Sequence, residues 1–119
     1  MHFLCAVLPS GFESRACLSY IYQQGLSLSY KFFYGDTFID GSCPVTAATA
    51  DVWTNVELRF NVTTGQLQAV VGGTTSTCQP QDKPTATTAA KAKVGLFTEN
   101  TSDIGFTLRI DNVVVSVQR

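Results

Sequence analysis

The chain has 119 residues, a formal net charge of −1, and 45% apolar against only 14% charged residues. A single domain spanning 1–119 is expected, and at this size it buries roughly 65% of its unfolded surface in a real core. Eight Lys and Arg, set singly along the chain, form no basic tract for nucleic acid, and no stretch reaches the roughly 18 apolar residues of a spanning helix.

Residues 2–8 are apolar and lack a basic leader, so they read as a strand rather than a secretion signal. The turn-forming run Pro9-Ser10-Gly11-Phe12-Glu13-Ser14 leads to a second strand over 15–23, with Leu18, Tyr20 and Tyr22 on one face. After Gln24–Gly25 comes the cleanest alternation in the chain: Leu26, Leu28, Tyr30, Phe32 and Tyr34 against Ser27, Ser29 and Lys31. Phe33 interrupts the polar face and marks a contact surface. Gly35–Asp36 turns the chain into a short strand over 37–43, and 44–51 reads as a connector with a helical turn in 46–50.

A strand over 53–60 places Val56, Leu58 and Phe60 inward, 61–65 closes a hairpin, and 66–71 returns with Leu67, Ala69 and Val71 apolar. The Thr-, Ala-, Pro- and Gln-rich stretch 74–92 reads as a long surface loop. A strand over 93–97 and a loop over 98–103 follow. Ile104, Phe106, Leu108 and Ile110 are then apolar at even positions, but Val113, Val115 and Val117 at odd ones. A β-bulge or bend at Asp111–Asn112 would keep both halves of a long final strand on one core. Short strands with turns every 8–12 residues predict an antiparallel all-β sandwich.

Three segments resemble the concanavalin A-like, laminin-G-like jelly-roll superfamily. They are the strand Trp53-Thr54-Asn55-Val56-Glu57-Leu58-Arg59-Phe60, the return from Thr64-Gly65 to Gly72-Gly73, and Val94-Gly95-Leu96-Phe97 followed by Phe106 and Ile110-Asp111-Asn112-Val113-Val114-Val115. The resemblance covers residues 53–117 and implies an antiparallel jelly-roll β-sandwich. Domains of this class usually run longer than 119 residues, so a missing opening strand is part of the expectation. The resemblance also places Asp111 where glucanase-like members bind a structural calcium. A hard cation needs several oxygen ligands, and the alternative role for Asp111 is to cap backbone N–H groups at the bend.

Cys5, Cys17, Cys43 and Cys78 allow three disulfide pairings. A hairpin turning near Gly11 sets Cys5 opposite Cys17, which leaves Cys43 with Cys78. Free buried thiols are the alternative. A zinc site is disfavoured because no C-x-x-C pair occurs. Asn61-Val62-Thr63 and Asn100-Thr101-Ser102 match the N-glycosylation acceptor pattern, both in expected turns.

Catalysis finds little support. Glu13, Glu57 and Glu99 are far apart, with no Asp two residues away to build a glycosidase pair. His2, the one histidine, sits at an end expected to fray, so a Ser-His-Asp set is not anticipated. Sugar binding needs an exposed aromatic ring with polar side chains beside it. Phe33 is the candidate ring, and Glu99, Asn100 and Asp103 form the best polar cluster. The expected function is a non-catalytic, extracellular or cell-surface module that binds carbohydrate or another surface ligand. The alternatives are a structural or adhesive module that binds protein, and a non-catalytic piece of a larger carbohydrate-active enzyme.

Overall fold

The computed structural model describes residues 2–8, 12–21, 25–46, 49, 51–85, 90–97 and 111–114. These form eight strands: β1 (His2–Leu8), β2 (Ser14–Ile21), β3 (Gly25–Tyr34), β4 (Thr37–Pro44), β5 (Val56–Phe60), β6 (Leu67–Val71), β7 (Thr74–Cys78) and β8 (Lys91–Phe97). No helix occurs among the described residues. Two antiparallel sheets result, one ordered β4-β3-β2-β1-β8 and the other β5-β6-β7.

Each sheet grows mainly by hairpins between consecutive strands, and the turns set the registers. The two-residue turn Gly35–Asp36 pairs Tyr34 with Thr37 and Phe33 with Phe38. Gly72 and Gly73, with φ of 56° and 84°, form the doubly left-handed turn that matches strand twist, and Val71 pairs with Thr74 across it. β8 arrives from the second sheet and pairs antiparallel with β1, so the meander β1–β4 gains a fifth strand at its β1 edge.

The core lies between the sheets. The five-stranded sheet contributes Ala16, Leu18, Leu28 and Phe32, and the three-stranded sheet contributes Leu67, Ala69, Val71 and Cys78. The rings of Phe32 and Phe60 stack across the gap with centroids 5.6 Å apart. Full burial of a Leu or Phe side chain is worth about 1.5–3 kcal/mol, so this cluster holds the layers together. The alternation over β3 and β6 therefore becomes two inner faces meeting, as in a sandwich.

Two disulfides add covalent ties. Cys5 pairs with Cys17 across the β1–β2 hairpin, where the two residues are direct register partners with Cα atoms 4.1 Å apart. Cys43 pairs with Cys78, joining β4 of one sheet to β7 of the other.

The structure corrects three sequence expectations. The stretch 74–92 does not begin as a loop: Thr74–Cys78 is strand β7, with Cys78 buried. Threonine is β-branched and fits a half-buried pleated surface, so a polar-looking segment still completes a sheet. The strand expected from residue 53 starts at Val56. Before it, Asp51 takes a φ of 59° and the Thr54 hydroxyl donates to the Val52 carbonyl at 3.2 Å, a local turn that leaves Trp53 72% exposed. Asp111–Val114 lies in no strand, and Val114 is 86% exposed, with Val113 also exposed. Asn112 has a φ of 54° there, and its N–H is taken by the Asp111 carboxylate at 2.9 Å. A left-handed residue with a locally capped amide leaves the sheet ladder. The rest of the expected final strand, 104–110 and 115–117, lies outside the described residues, as do 47, 48 and 50 of the expected helical turn.

Candidate functional site

The face of the five-stranded sheet turned away from the core carries the odd residues of β2 and β3 and the even residues of β4. Register alignment builds it in rows. Arg15 on β2 pairs with Lys31 on β3, which pairs with Asp40 on β4. Cys17 pairs with Ser29, which pairs with Ser42, and Cys5 pairs with Lys93 on β8. A shallow groove of about 340 Å³ runs along these rows, lined by His2, Arg15, Ser29, Lys31, Asp40 and Ser42 together with Tyr30 and Gly41.

Beside the groove three phenylalanines cluster. Phe33 stacks on Phe12 with centroids 5.3 Å apart and tilts against Phe38 at 5.6 Å. The Lys31 ammonium lies 4.4 Å from the Phe38 centroid and 5.3 Å from that of Phe33, within cation–π range of both rings. The buried Ser14 hydroxyl accepts the Phe33 N–H at 2.9 Å, which extends the tie between β2 and β3 and fixes the cluster's base. Phe33 is half-buried by its neighbours, while Phe12 and Phe38 are 59% and 49% exposed. The rings available to a ligand are therefore Phe12 and Phe38, with Phe33 as their support.

A hydrogen-bond chain crosses three strands of the same face. His2 Nδ1 and Ser19 Oγ are 2.6 Å apart, and Ser19 Oγ and Ser29 Oγ are 2.8 Å apart. His2 is thus held in β1 rather than frayed. Ser19 is buried, so its hydroxyl serves the cross-strand network and is out of a substrate's reach. The face is cationic on an acidic chain: Arg15, Lys31, Lys91 and Lys93 share it with Asp40 and with Glu13, whose carboxylate lies 3.7 Å from the Lys93 ammonium.

Of the residues expected from sequence, Phe33 lies in this cluster. Glu99, Asn100 and Asp103 lie outside the described residues. Asp111 is exposed, with one carboxylate oxygen on its neighbour's N–H. No group of three or more His, Cys, Asp or Glu that could hold a metal ion occurs among the described residues.

Sequence reading missed Phe12, Phe38, Arg15, Lys31 and Asp40 as partners of Phe33. A signal for three of them was present: a two-residue turn at Gly35–Asp36 fixes Phe33 against Phe38 and Lys31 against Asp40 by counting outward. Chemically, the arrangement offers two exposed aromatic faces and a strip of hydrogen-bonding and charged groups. No protein-family model, curated protein or solved structure matches this chain.

Proposed function

We propose that this chain is a non-catalytic, extracellular or cell-surface carbohydrate-binding module that uses the outer face of its five-stranded sheet. The observation that carries the reading is the pair of exposed rings, Phe12 and Phe38, beside a groove lined by Arg15, Ser29, Asp40 and Ser42. A pyranose presents an apolar C–H face to an aromatic ring and equatorial hydroxyls to side-chain donors and acceptors. The two disulfides support an oxidising, exported setting.

The finer fold reading, a concanavalin A-like jelly roll, belongs to this proposal. It is supported by the pairing of β1 with the late strand β8 and by the β5–β6 hairpin. Structural calcium at Asp111 belongs to it too.

A glycan array with and without calcium tests the reading. Binding to a defined sugar class is expected. Phe38→Ala is expected to weaken it about two- to tenfold, since one aromatic contact is worth about 0.5–1.5 kcal/mol. The melting temperature should fall only slightly, because the half-exposed ring gives up its contacts with Phe33 and Lys31 and leaves the interlayer core intact. Silence from the folded protein overturns the reading, as does binding indifferent to both Phe12→Ala and Phe38→Ala. Loss of binding and a lower melting temperature in chelator would support the calcium; no change in either removes it.

One observation favours a second reading, an adhesive module that binds protein. Val52, Trp53 and Val56 are exposed together at the start of β5, which among the described residues pairs with β6 alone. An exposed Trp flanked by exposed valines suits apolar docking. A stable dimer by analytical ultracentrifugation, dispersed by Trp53→Ala, would favour it.

A further inference from the structure

The β5–β6 turn carries an N-glycosylation acceptor pattern. Asn61-Val62-Thr63 supplies an asparagine with a hydroxyl two residues on, and residues 61–64 are all exposed. The structure accounts for nearly every polar group of Asn61. Its N–H donates to the Gln66 carbonyl at 2.9 Å, and its carbonyl accepts the Gly65 N–H at 2.8 Å. Its side-chain Oδ1 accepts the N–H of Thr63 at 2.9 Å and of Thr64 at 3.2 Å. The side-chain Nδ2 is the remaining group, and it has no hydrogen-bond partner among the described residues.

We infer that Asn61 is an N-glycan attachment site. Oδ1 is the atom the turn needs, and Nδ2 is the atom a glycan takes. In the transfer, Nδ2 bonds to the anomeric carbon of a sugar donated by a lipid-pyrophosphate-linked oligosaccharide. The bond from that carbon to the pyrophosphate oxygen breaks, the lipid pyrophosphate leaves with the electron pair, and one Nδ2 proton passes to base. The product amide keeps its carbonyl oxygen, so both Oδ1 hydrogen bonds survive, and the hairpin accepts the glycan without rearrangement. The turn belongs to the three-stranded sheet, so the sugar stands on the other layer from the Phe12–Phe33–Phe38 face. The site requires the same oxidising export route that the two disulfides imply.

The test is secretion of the full chain, behind a cleavable signal, from a eukaryotic host. Enzymatic release of N-glycans in heavy-oxygen water then converts an occupied asparagine to labelled aspartate. The readout is the peptide containing Asn61, because Asn100-Thr101-Ser102 could carry its own glycan and confuse the intact mass. Label at Asn61 in most of the secreted protein is expected. Thr63→Ala should abolish it with the melting temperature kept, because that substitution removes the acceptor hydroxyl and leaves the Asn61 side chain and the residue-63 N–H in place. An unlabelled Asn61 peptide from folded, secreted wild-type protein overturns the inference, whatever the variant does.

Discussion

At the residue scale, two positions show how one backbone or one hydroxyl is fixed by its surroundings. Gly65 has a φ of 77°, and a Cβ built on it would lie 2.8 Å from the Asp82 carbonyl oxygen. Gly65→Ala therefore meets both a left-handed backbone and another backbone atom that cannot swing aside. A loss of about 1–3 kcal/mol is expected in denaturant unfolding, the cost of one strained residue held by its context. Tyr34 donates its hydroxyl to the Lys83 carbonyl at 2.6 Å, tying the end of β3 to residue 83. Burial, and secondarily the Asp82 carboxylate, raise its pKa above the ordinary 10.0. A raised tyrosine is held protonated in the folded state, so its contribution is fully present below about pH 10 and is lost as pH rises through the folded value. Wild type should lose melting temperature faster than Tyr34→Phe above pH 10. The variant should start about 0.5–1.5 kcal/mol lower at neutral pH, the net value of one hydrogen bond. Parallel alkaline profiles would refute this role for Tyr34.

At the scale of elements, hairpins and disulfides explain most of the architecture. Loop-closure entropy assigns about 3 kcal/mol to the loop closed by Cys5–Cys17 and about 4 kcal/mol to that closed by Cys43–Cys78. The double variant Cys43→Ala/Cys78→Ala should therefore be less stable than Cys5→Ala/Cys17→Ala, each lacking one of the two disulfides. It also frees β4 from β7, whereas Cys5–Cys17 spans strands already paired in unbroken register from Leu4↔Leu18 to Leu8↔Ser14. Calorimetry on both variants checks the order. The registers were legible in advance wherever a two-residue turn set them. Gly35–Asp36 fixes the β3–β4 pairs, and Gly72–Gly73 announces a returning strand, although Thr74-Thr75-Ser76-Thr77 looks like loop by composition. The start of β5 was not legible: nothing local distinguishes Trp53 in a strand from Trp53 in the turn that precedes one.

At the scale of the whole molecule, position between the two sheets decides which of the described residues are buried. Phe32 sits under the second sheet with no exposure, whereas Ala92 and Val94, on the same side of β8, remain exposed. Phe32→Ala should cost about 3–5 kcal/mol, because it empties the centre of the interlayer core. Trp53→Ala should stay within about 0.5 kcal/mol of wild type, because the ring packs little. Urea unfolding of the pair separates core from surface aromatics, which composition alone treats alike.

The sequence by itself determined the all-β class, the inner faces of β3 and β6, the hairpin turns and the opposition of Cys5 and Cys17. All of these follow from period-two alternation and turn residues, which act over a few neighbours. Only the tertiary structure decided which strands lie in which layer, that the Cys43–Cys78 bridge joins one layer to the other, that Trp53 and Val114 face outward, and that Phe12 joins Phe33 and Phe38 around Lys31. The physical reason is range. Alternation tells a strand that it has two faces, but which face another layer covers depends on contacts between residues far apart in the chain. Phe33 breaks the pattern locally, so it could be read as special. What makes it part of a surface is a turn residue on one side and the next strand on the other.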